Sequence, residues 1–295
     1  MRKAVIDLGT NTFNLLIADV NGNSFEIIHS EKEGVSLGMG GINENILAPE
    51  AYERGLDTLM HFKNICTQYG VKEIRAIGTS ALRDASNSLE FINEVKNNLG
   101  ITIEIISGHR EAEMIYRGVK WSYRFDEPSV IMDIGGGSTE FVFADKTGIT
   151  DLVSLNIGVS RIYQHFNFSD PLSPTDIENI EVWLEERADG FFDGKQEHIL
   201  IGASGSFETF YELIHNEQFP SQLKSVELSF DFLMECLDQI IASSQAERDE
   251  NNWIIPIRKK MAPIAAVKTR WVINKLDIKR VFISPCSLKE GALAQ

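Results

Sequence analysis

The sequence predicts an α/β protein of two domains, each with the same glycine-rich hairpin. Three observations predict this organisation. Apolar, strand-like runs alternate with segments of helical spacing along the chain. A short motif occurs twice, once near the amino terminus and once near the middle of the chain. The 295 residues are also enough for two hydrophobic cores, since single domains commonly contain about 100–150 residues.

The repeated motif is an apolar strand that delivers an aspartate into a turn of small polar residues. In the first copy Asp7 is followed by Leu-Gly-Thr-Asn-Thr, and in the second Asp133 is followed by Ile-Gly-Gly-Gly-Ser-Thr-Glu. Asp19, in an Ala-Asp pair, lies 12 residues after Asp7, and Asp145 lies 12 residues after Asp133 in the same pair. Equal spacing predicts two structurally equivalent hairpins.

Both turns have the composition of a phosphate-binding loop. Glycine lets the backbone approach a bulky anion, while exposed amides and hydroxyls donate to its oxygens. Carboxylates cannot bind phosphate directly, so Asp7 and Asp133 imply a divalent cation, Mg²⁺ being expected, between carboxylate and phosphate oxygens. An ordinary hairpin with a turn-forming Asp is the alternative for one copy, and the matched pair weighs against it. The predicted phosphate-binding residues of the two turns are Gly9, Thr10, Asn11, Thr12, Gly135, Gly136, Gly137 and Ser138.

The predicted first domain, 1–124, begins with the hairpin and continues as alternating strands and helices. Pro49 near the start and Gly70 just beyond the end delimit its first helix. Strands are predicted at 3–8, 13–20, 25–30, 73–77 and 101–106, and helices at 49–69, at 87–98 and after Gly108.

The predicted second domain, 125–295, begins where Asp126-Glu127-Pro128 interrupts the periodicity. It repeats the order of the first, and a charged, solvated loop is expected at 246–252. Its predicted elements are a hairpin at 129–145, strands at 151–155, 197–201 and 280–283, and helices at 174–190, 206–216, 226–244 and 259–275.

Two corners in the first domain join a strand to a helix, where free amides and the positive end of the helix favour anions. At the first corner Thr79 and Ser80 are predicted phosphate ligands and Arg83 a forked phosphate contact; helix capping and a surface pair with Asp84 are the alternatives. At the second, Glu111 is a candidate general base that takes a proton from water. The helix dipole also favours a carboxylate there, and Glu113 is a competing candidate.

Two further features distinguish the second domain. Glu140 lies seven residues after Asp133, where the first motif has Asn14 seven residues after Asp7. We expect Asp133 and Glu140 to be metal or water ligands, the alternative being a solvent-facing Glu140. A second strand-to-helix loop is a candidate site for a nucleotide or a distal phosphate, or a plain connection. Its predicted ligands are Gly202, Ser204, Gly205 and Ser206.

Composition limits the function. The formal net charge of −15 argues against sequence-independent nucleic-acid binding, which needs a basic face. Cys66, Cys236 and Cys286 have no metal-ligand spacing and are expected to be packed thiols in a reducing compartment. No apolar run is long enough to span a membrane, and Asp7 interrupts the amino-terminal apolar stretch, so a cytoplasmic location without membrane association is expected.

The chain resembles the exopolyphosphatase and guanosine pentaphosphate phosphohydrolase family, in the superfamily of actin, Hsp70 and sugar kinases. The resemblance covers essentially the whole chain and is closest to the short form without the C-terminal helical domain. It departs from the family at the Gly202 to Ser206 loop, which lacks paired glycines, and at Ser284-Pro285-Cys286-Ser287. The segments that carry it are Asp7–Thr12, Gly78–Ala85, Ile106–Ala112, Asp133–Glu140 and Leu288–Gly291.

The resemblance implies two ribonuclease H-like lobes with the active site in the cleft between them, and it makes a homodimer plausible. It identifies Glu111 with the catalytic glutamate, Arg83 with the phosphate-binding arginine, and Asp133 and Glu140 with the second phosphate and metal segment. The expected reaction is hydrolysis of the terminal phosphoanhydride of inorganic polyphosphate, with short chains favoured. The alternatives are hydrolysis of guanosine pentaphosphate, an ATP-dependent kinase reaction, and a non-catalytic sensor of guanosine polyphosphates.

Overall fold

The computed structural model describes residues 1–22 and 24–293, which form two β-sheets with helices around and between them. The strands are β1 (Arg2–Leu8), β2 (Thr12–Asn21), β3 (Ser24–Gly34), β4 (Glu73–Gly78), β5 (Ile103–Ile105), β6 (Ser129–Ile134), β7 (Thr139–Asp145), β8 (Gly148–Leu155), β9 (Ile199–Gly202), β10 (Val226–Leu228) and β11 (Arg280–Ile283). The helices are α1 (Pro49–Gln68), α2 (Ser80–Asp84), α3 (Ser88–Leu99), α4 (Gly108–Val119), α5 (Val159–His165), α6 (Pro174–Ala188), α7 (Gly205–His215), α8 (Phe230–Ala242), α9 (Gln245–Glu250), α10 (Pro256–Lys259), α11 (Ala262–Leu276) and α12 (Leu288–Leu293).

The two sheets have the same topology. The first has the strand order β3-β2-β1-β4-β5, in which β2 is antiparallel to both neighbours and β4 and β5 are parallel to β1. The second has the order β10-β11-β9-β6-β7-β8, which repeats that arrangement and adds β10 at one edge. The predicted fold class, two ribonuclease H-like α/β lobes, is confirmed.

Three hydrophobic cores hold the molecule together. One lies in each lobe, and the third lies between the two sheets, where it is filled mainly by α4 and α12. Val5 and Leu16 of the first sheet and Ile131 and Val142 of the second belong to this shared core. Strands covered on both faces bury nearly every side chain, which explains the continuous apolar runs of β1 and β6.

Helix α12 belongs to the second lobe by sequence, yet it packs against α4 and against β1 of the first lobe. The strands of the first sheet lie within residues 2–105 and those of the second within 129–283. The predicted division at residues 124 and 125 stays a prediction, because α4 and α12 contribute to both lobes through the shared core.

Two expectations for the second lobe were wrong in detail. The predicted helix at 226–244 begins with strand β10, because Val226–Leu228 pairs with β11 before α8 starts. The charged segment 246–252 is largely exposed, as expected, but it is not a loop, because α9 covers most of it. Arg248 is the exception to the exposure: it is buried and donates from Nε to the Lys259 carbonyl at 2.8 Å. Helices α5, α10 and α12 were not predicted. Within the described residues, no helix combines the length and apolar character of a membrane span.

Candidate active site

The two predicted phosphate-binding turns line one cleft between the lobes. Asp7 and Asp133, on strands of different sheets, both reach its wall. Counted with the solvent at its mouth, the cleft encloses about 1300 Å³. Its lining also contains the other predicted ligands Gly9, Thr10, Asn11, Thr12, Thr79, Ser80, Gly135, Gly136, Gly137, Ser138 and Glu140, together with Glu111.

The hairpins that carry the turns have equivalent backbones. In the first, the Gly9 amide donates to the Thr12 carbonyl at 3.1 Å, and in the second the Gly135 amide donates to the Ser138 carbonyl at 3.0 Å. Asp7 pairs across its hairpin with Asn14, and Asp133 pairs with Glu140. The equal sequence spacing therefore reflects equal geometry.

Glycine at position 137 allows the second turn to pack directly on the first lobe. A Cβ atom there would lie 2.4 Å from the Ser80 hydroxyl and 2.7 Å from the Thr10 hydroxyl, so any side chain would push the turn away. The Ser160 hydroxyl also donates to the Asn11 amide oxygen, at 2.5 Å. Close approach of the lobes is thus a second reason for the glycine-rich sequence, beside access to an anion.

Glu111 is a buried carboxylate at the cleft wall. Helix α4 begins at Gly108 with Ser107 as its cap, and this places Glu111 in the first turn. Arg83 donates from Nη1 to Glu111 Oε2 at 2.9 Å and to the Ile106 carbonyl at 3.1 Å. Burial and the nearby charge of Glu140 raise the pKa of Glu111 well above its usual range, while Arg83 acts to lower it.

The competing candidate, Glu113, lies outside the cleft lining. It accepts from Arg110 Nη1 at 2.7 Å, and this hydrogen bond lowers its pKa. Arg83 is not among the residues that line the cleft, and its side chain pairs with Glu111. Its predicted contact with phosphate stays a prediction. The alternative of a surface pair between Arg83 and Asp84 is the weaker contact, at 3.9 Å.

Three further carboxylates share the cleft. Burial raises the pKa of Asp7 to about 6 and that of Asp133 to about 8, and in both cases the charge of Glu140 adds to the shift. Burial also raises the pKa of Glu140, whose Oε1 accepts from the Ser154 hydroxyl at 2.6 Å. So many acids in one place repel one another unless protons or cations neutralise them.

The chemistry of this donor set fits a hard divalent cation, because it consists of carboxylate oxygens. Asp7, Asp133 and Glu140 do not form a group in which all three ligand atoms lie within 4.8 Å of one another, so further oxygens, from phosphate or water, would be needed to complete a site. Within the described residues, the group that meets this distance is Glu31, Glu33 and His61, on β3 and α1.

Arg161 of α5 is a structural link that the sequence did not reveal. Its side chain is buried and donates to the Gly137 carbonyl at 2.7 Å, to the Ile42 carbonyl at 3.0 Å and to Asp84. It therefore fixes the second turn to two segments of the first lobe. No repeat or spacing marks Arg161, because α5 is a short helix between irregular segments.

Two lysines of this region had no role assigned from the sequence: Lys268, and Lys289 in the segment Leu288–Gly291. Lys289 lines the cleft and lies 3.1 Å from Glu290. Lys268, on α11, is fully buried behind the second turn, where it donates to the Thr139 hydroxyl at 2.6 Å and to the Ile157 carbonyl at 2.5 Å. A charged residue within an apolar helix was the available signal for Lys268.

The predicted distal loop lies on the same cleft, except for its first residue. Ser204, Gly205 and Ser206 line the cleft, whereas Gly202 is buried at the end of β9 against the ring of Phe207. Beside this loop, Lys32 of β3 donates to Glu208 at 2.9 Å, and Arg258 lies 3.5 Å from the same carboxylate oxygen.

Fold and cleft together define a class of protein: two ribonuclease H-like lobes that face each other through paired phosphate-type turns, with a buried glutamate between them. A comparison with protein families identifies which member of this class it is. The chain belongs to the Ppx/GppA phosphatase family, whose model matches residues 16–295.

Individual relatives agree with this assignment. The chain is 30% identical to the guanosine-5'-triphosphate,3'-diphosphate pyrophosphatase of Aeromonas salmonicida over 98% of its own length and 58% of the relative. It thus spans little more than half of that curated relative. An exopolyphosphatase of Cytophaga hutchinsonii has 35% sequence identity and a TM-score of 0.95, with 99% of this chain and 96% of that one covered. A Ppx/GppA family member of Aquifex aeolicus, 24% identical, shares the fold with a TM-score of 0.82 over 100% of this chain and 96% of that one.

Proposed function

We propose that this protein hydrolyses the terminal phosphoanhydride of inorganic polyphosphate and releases orthophosphate. The observation that carries the proposal is the position of Glu111, buried with Arg83 at the wall of a cleft that both glycine turns also line. A general base next to two phosphate-type turns is the arrangement that attack of water on a bound phosphate requires. The similarity to the exopolyphosphatase of Cytophaga hutchinsonii supports the same substrate class.

The two turns would bind consecutive phosphates of the chain. Thr10, Thr12 and Ser138 line the cleft from opposite lobes, so a phosphate chain held by both turns would be fixed in position and direction. Most of the rate acceleration is expected from such positioning and from charge neutralisation, as is general for phosphoryl transfer.

Glu111 would accept a proton from the attacking water. The raised pKa of Glu111, caused first by burial, makes its carboxylate a stronger base than an exposed glutamate. Arg83 opposes this shift and fixes the side chain, so that the carboxylate is held in one orientation. The proton then passes to the products, one of which is orthophosphate.

Asp7, Asp133 and Glu140 would hold a divalent cation, Mg²⁺ being our proposal. Such a cation, when bound, supplies positive charge that offsets the phosphate oxygens. It would also explain why the cleft tolerates several buried carboxylates in a chain with a net charge of −15.

Replacement of Glu111 by Gln tests the base. We expect the turnover number to fall by about 10²–10⁴-fold, while the affinity for tripolyphosphate, measured by calorimetry, changes little. Glu113→Gln is the matched control, because Glu113 lies on the same helix outside the cleft, and it should keep wild-type turnover. Near-normal turnover of the Glu111 variant would reject Glu111 as the base.

Guanosine pentaphosphate is the second candidate substrate, and the printed name of the Aeromonas salmonicida relative favours it. Measurement of orthophosphate release from polyphosphates of graded length and from guanosine pentaphosphate, each with and without Mg²⁺, separates the two. Faster release from the nucleotide than from any polyphosphate would overturn our first choice. The homodimer and the cytoplasmic location expected from the sequence stay predictions.

A further inference from the structure

In the lining of the cleft, the carboxylate of Glu208 forms ion pairs with two cations, Lys32 and Arg258. Lys32 Nζ lies 2.9 Å from Glu208 Oε2, and Arg258 Nη2 lies 3.5 Å from the same oxygen. Arg258 also donates from Nη1 to the Thr209 hydroxyl at 2.8 Å. Lys32 belongs to the first lobe and the other residues to the second, so the ion pairs join the two walls of the cleft.

This charged group is separate from the pair that Glu111 forms with Arg83, although Lys32, Glu208 and Arg258 line the same cleft as Glu111. The Arg258 guanidinium covers the start of α7, where a Cβ atom on Gly205 would lie 1.6 Å from Nη2. The charge of Lys289, which also lines the cleft, lowers the pKa of both Asp7 and Glu208. A phosphate chain too long to be held by Glu111 and the two turns alone would meet Glu208 and its cations in the remainder of this cleft.

Glu208 is ionised in this position. Burial acts to raise its pKa, but Lys32 and Arg258 outweigh burial and lower the pKa to about 2. The two cations that could receive a distal phosphate are thus already neutralised. A phosphate that arrived there would lose hydrogen-bond donors to a carboxylate and would also be repelled by it.

We infer that Glu208 is a specificity-determining residue, which limits the number of substrate phosphates that the cleft accepts by holding Lys32 and Arg258. This inference rests on the proposed function, since it concerns the substrate of the same cleft. Short phosphate chains end before Glu208, and longer chains must displace it from both cations.

The other role for these ion pairs is structural, as a contact that holds the lobes together. The two roles give different results on removal of the charge. A structural contact changes stability and affects all substrates alike, whereas a specificity determinant changes the ratio between long and short substrates.

Glu208→Gln is the test, because it keeps the shape of the side chain and removes its charge. The quantity to measure is the ratio of kcat/KM for polyphosphate of several tens of units to kcat/KM for tripolyphosphate. We expect this ratio to rise about tenfold, as is typical for the removal of one unfavourable charge contact. Glu212→Gln, one turn further along α7 and outside the cleft lining, should leave the ratio unchanged.

An unchanged ratio in a folded Glu208→Gln protein would overturn the inference. If Glu208→Gln does not fold, Lys32→Met tests the inference through the opposite change in the kcat/KM ratio. It leaves Glu208 less neutralised, so the ratio should fall several-fold, and a constant or higher ratio would contradict the proposal. The gain from Glu208→Gln should also shrink in a Lys32→Met background, because the two residues act as a pair.

Failure of the proposed function is recognised separately. If the wild-type protein releases no phosphate from any polyphosphate, the hydrolase proposal fails. Calorimetric titration then tests the role of Glu208 through binding, as the ratio of the affinity for long polyphosphate to the affinity for tripolyphosphate. Equal affinity ratios for wild type and Glu208→Gln would overturn the inference there too.

Discussion

The first and second glycine hairpins have the same backbone but different side chains. Each places an Asp at the end of a strand and closes its turn with a hydrogen bond from a glycine amide. Each also has a register shift in the pairing of its second strand, between Ile17 and Ala18 in one and between Phe143 and Ala144 in the other. These shifts fall at the same offset from Asp7 and Asp133.

The side chains beside each Asp differ in charge. Asp7 accepts a hydrogen bond from the amide of Asn14 at 3.1 Å, whereas Asp133 lies opposite the carboxylate of Glu140. One residue earlier, the first hairpin buries Phe13 in its core, and the second has Thr139, which Lys268 binds. The comparison teaches that backbone geometry for phosphate is repeated, while most of the charge is concentrated in the second hairpin.

The largest expected effect comes from making the hairpins chemically alike. Glu140→Asn should lower the turnover number by about 10²–10³-fold, because it removes a carboxylate from the proposed cation site. Asn14→Ser changes the equivalent position of the first hairpin, and it should lower the turnover number about tenfold or less. The measurement is kcat for polyphosphate as a function of Mg²⁺ concentration. A larger loss from Asn14→Ser would reverse the assignment of charge to the second hairpin.

A smaller effect concerns the free energy of unfolding without divalent cations. The folded-state pKa of Asp133 is about 8, above its ordinary 3.8, so the folded protein holds a proton that the unfolded chain releases. Stability should therefore fall as pH rises from about 4 to 8, and Asp133→Asn should remove about 1–3 kcal/mol of that loss. Asp7→Asn should remove less, since the pKa of Asp7 reaches only about 6.

Urea unfolding at several pH values in the presence of a chelator measures this difference. The comparison between hairpins predicts that Asp133→Asn flattens the pH dependence more than Asp7→Asn does. If the free energy of unfolding depended on pH equally in the two variants, burial would not perturb the carboxylate of the second hairpin more than that of the first.

The smallest expected effect involves Lys268, which has no counterpart behind the first hairpin. Burial lowers the pKa of Lys268 to about 7 from the ordinary 10.5. The unfolded chain then binds more protons between these values, so this group adds stability as pH rises from about 7 to 10. Lys268→Met should lack that gain in thermal unfolding measured across this range.

Lys275→Met is the control for this prediction. Lys275 lies on the same helix, paired with Glu185 at the surface at 2.9 Å. A variant of Lys275 should keep the wild-type rise of stability with pH. If it lost the rise and Lys268→Met kept it, the pH dependence would come from surface charge and not from the buried ammonium.

Much of the first lobe could be predicted from the sequence. Strands β1 and β4 and helices α1 and α3 lie within one residue of their predicted bounds at each end, because each has strong periodicity and clear end signals such as Pro49 and Gly100. Strand β10 could not be predicted, since three residues next to a long amphipathic helix carry little local signal and the strand depends on its pairing with β11.

Site residues divide in the same way. The family resemblance favoured Glu111, which local sequence left as one candidate beside Glu113. Residues with a repeated motif or a position at a strand-to-helix corner, such as Gly135 and Ser80, could be selected from local sequence. Arg161 and Glu208 could not, because their importance comes from partners more than 70 residues away, Asp84 and Lys32.

The sequence by itself determined the two sheets, the two turns and the presence of an Asp at each turn, because periodicity, glycine and strand propensity act over a few residues. Only the tertiary structure decided which groups share the cleft and what charge they hold. The pairing of Glu111 with Arg83 and that of Lys32 with Glu208 both join distant segments, and the pKa of each carboxylate depends on how folding buries it and on which charges folding places beside it.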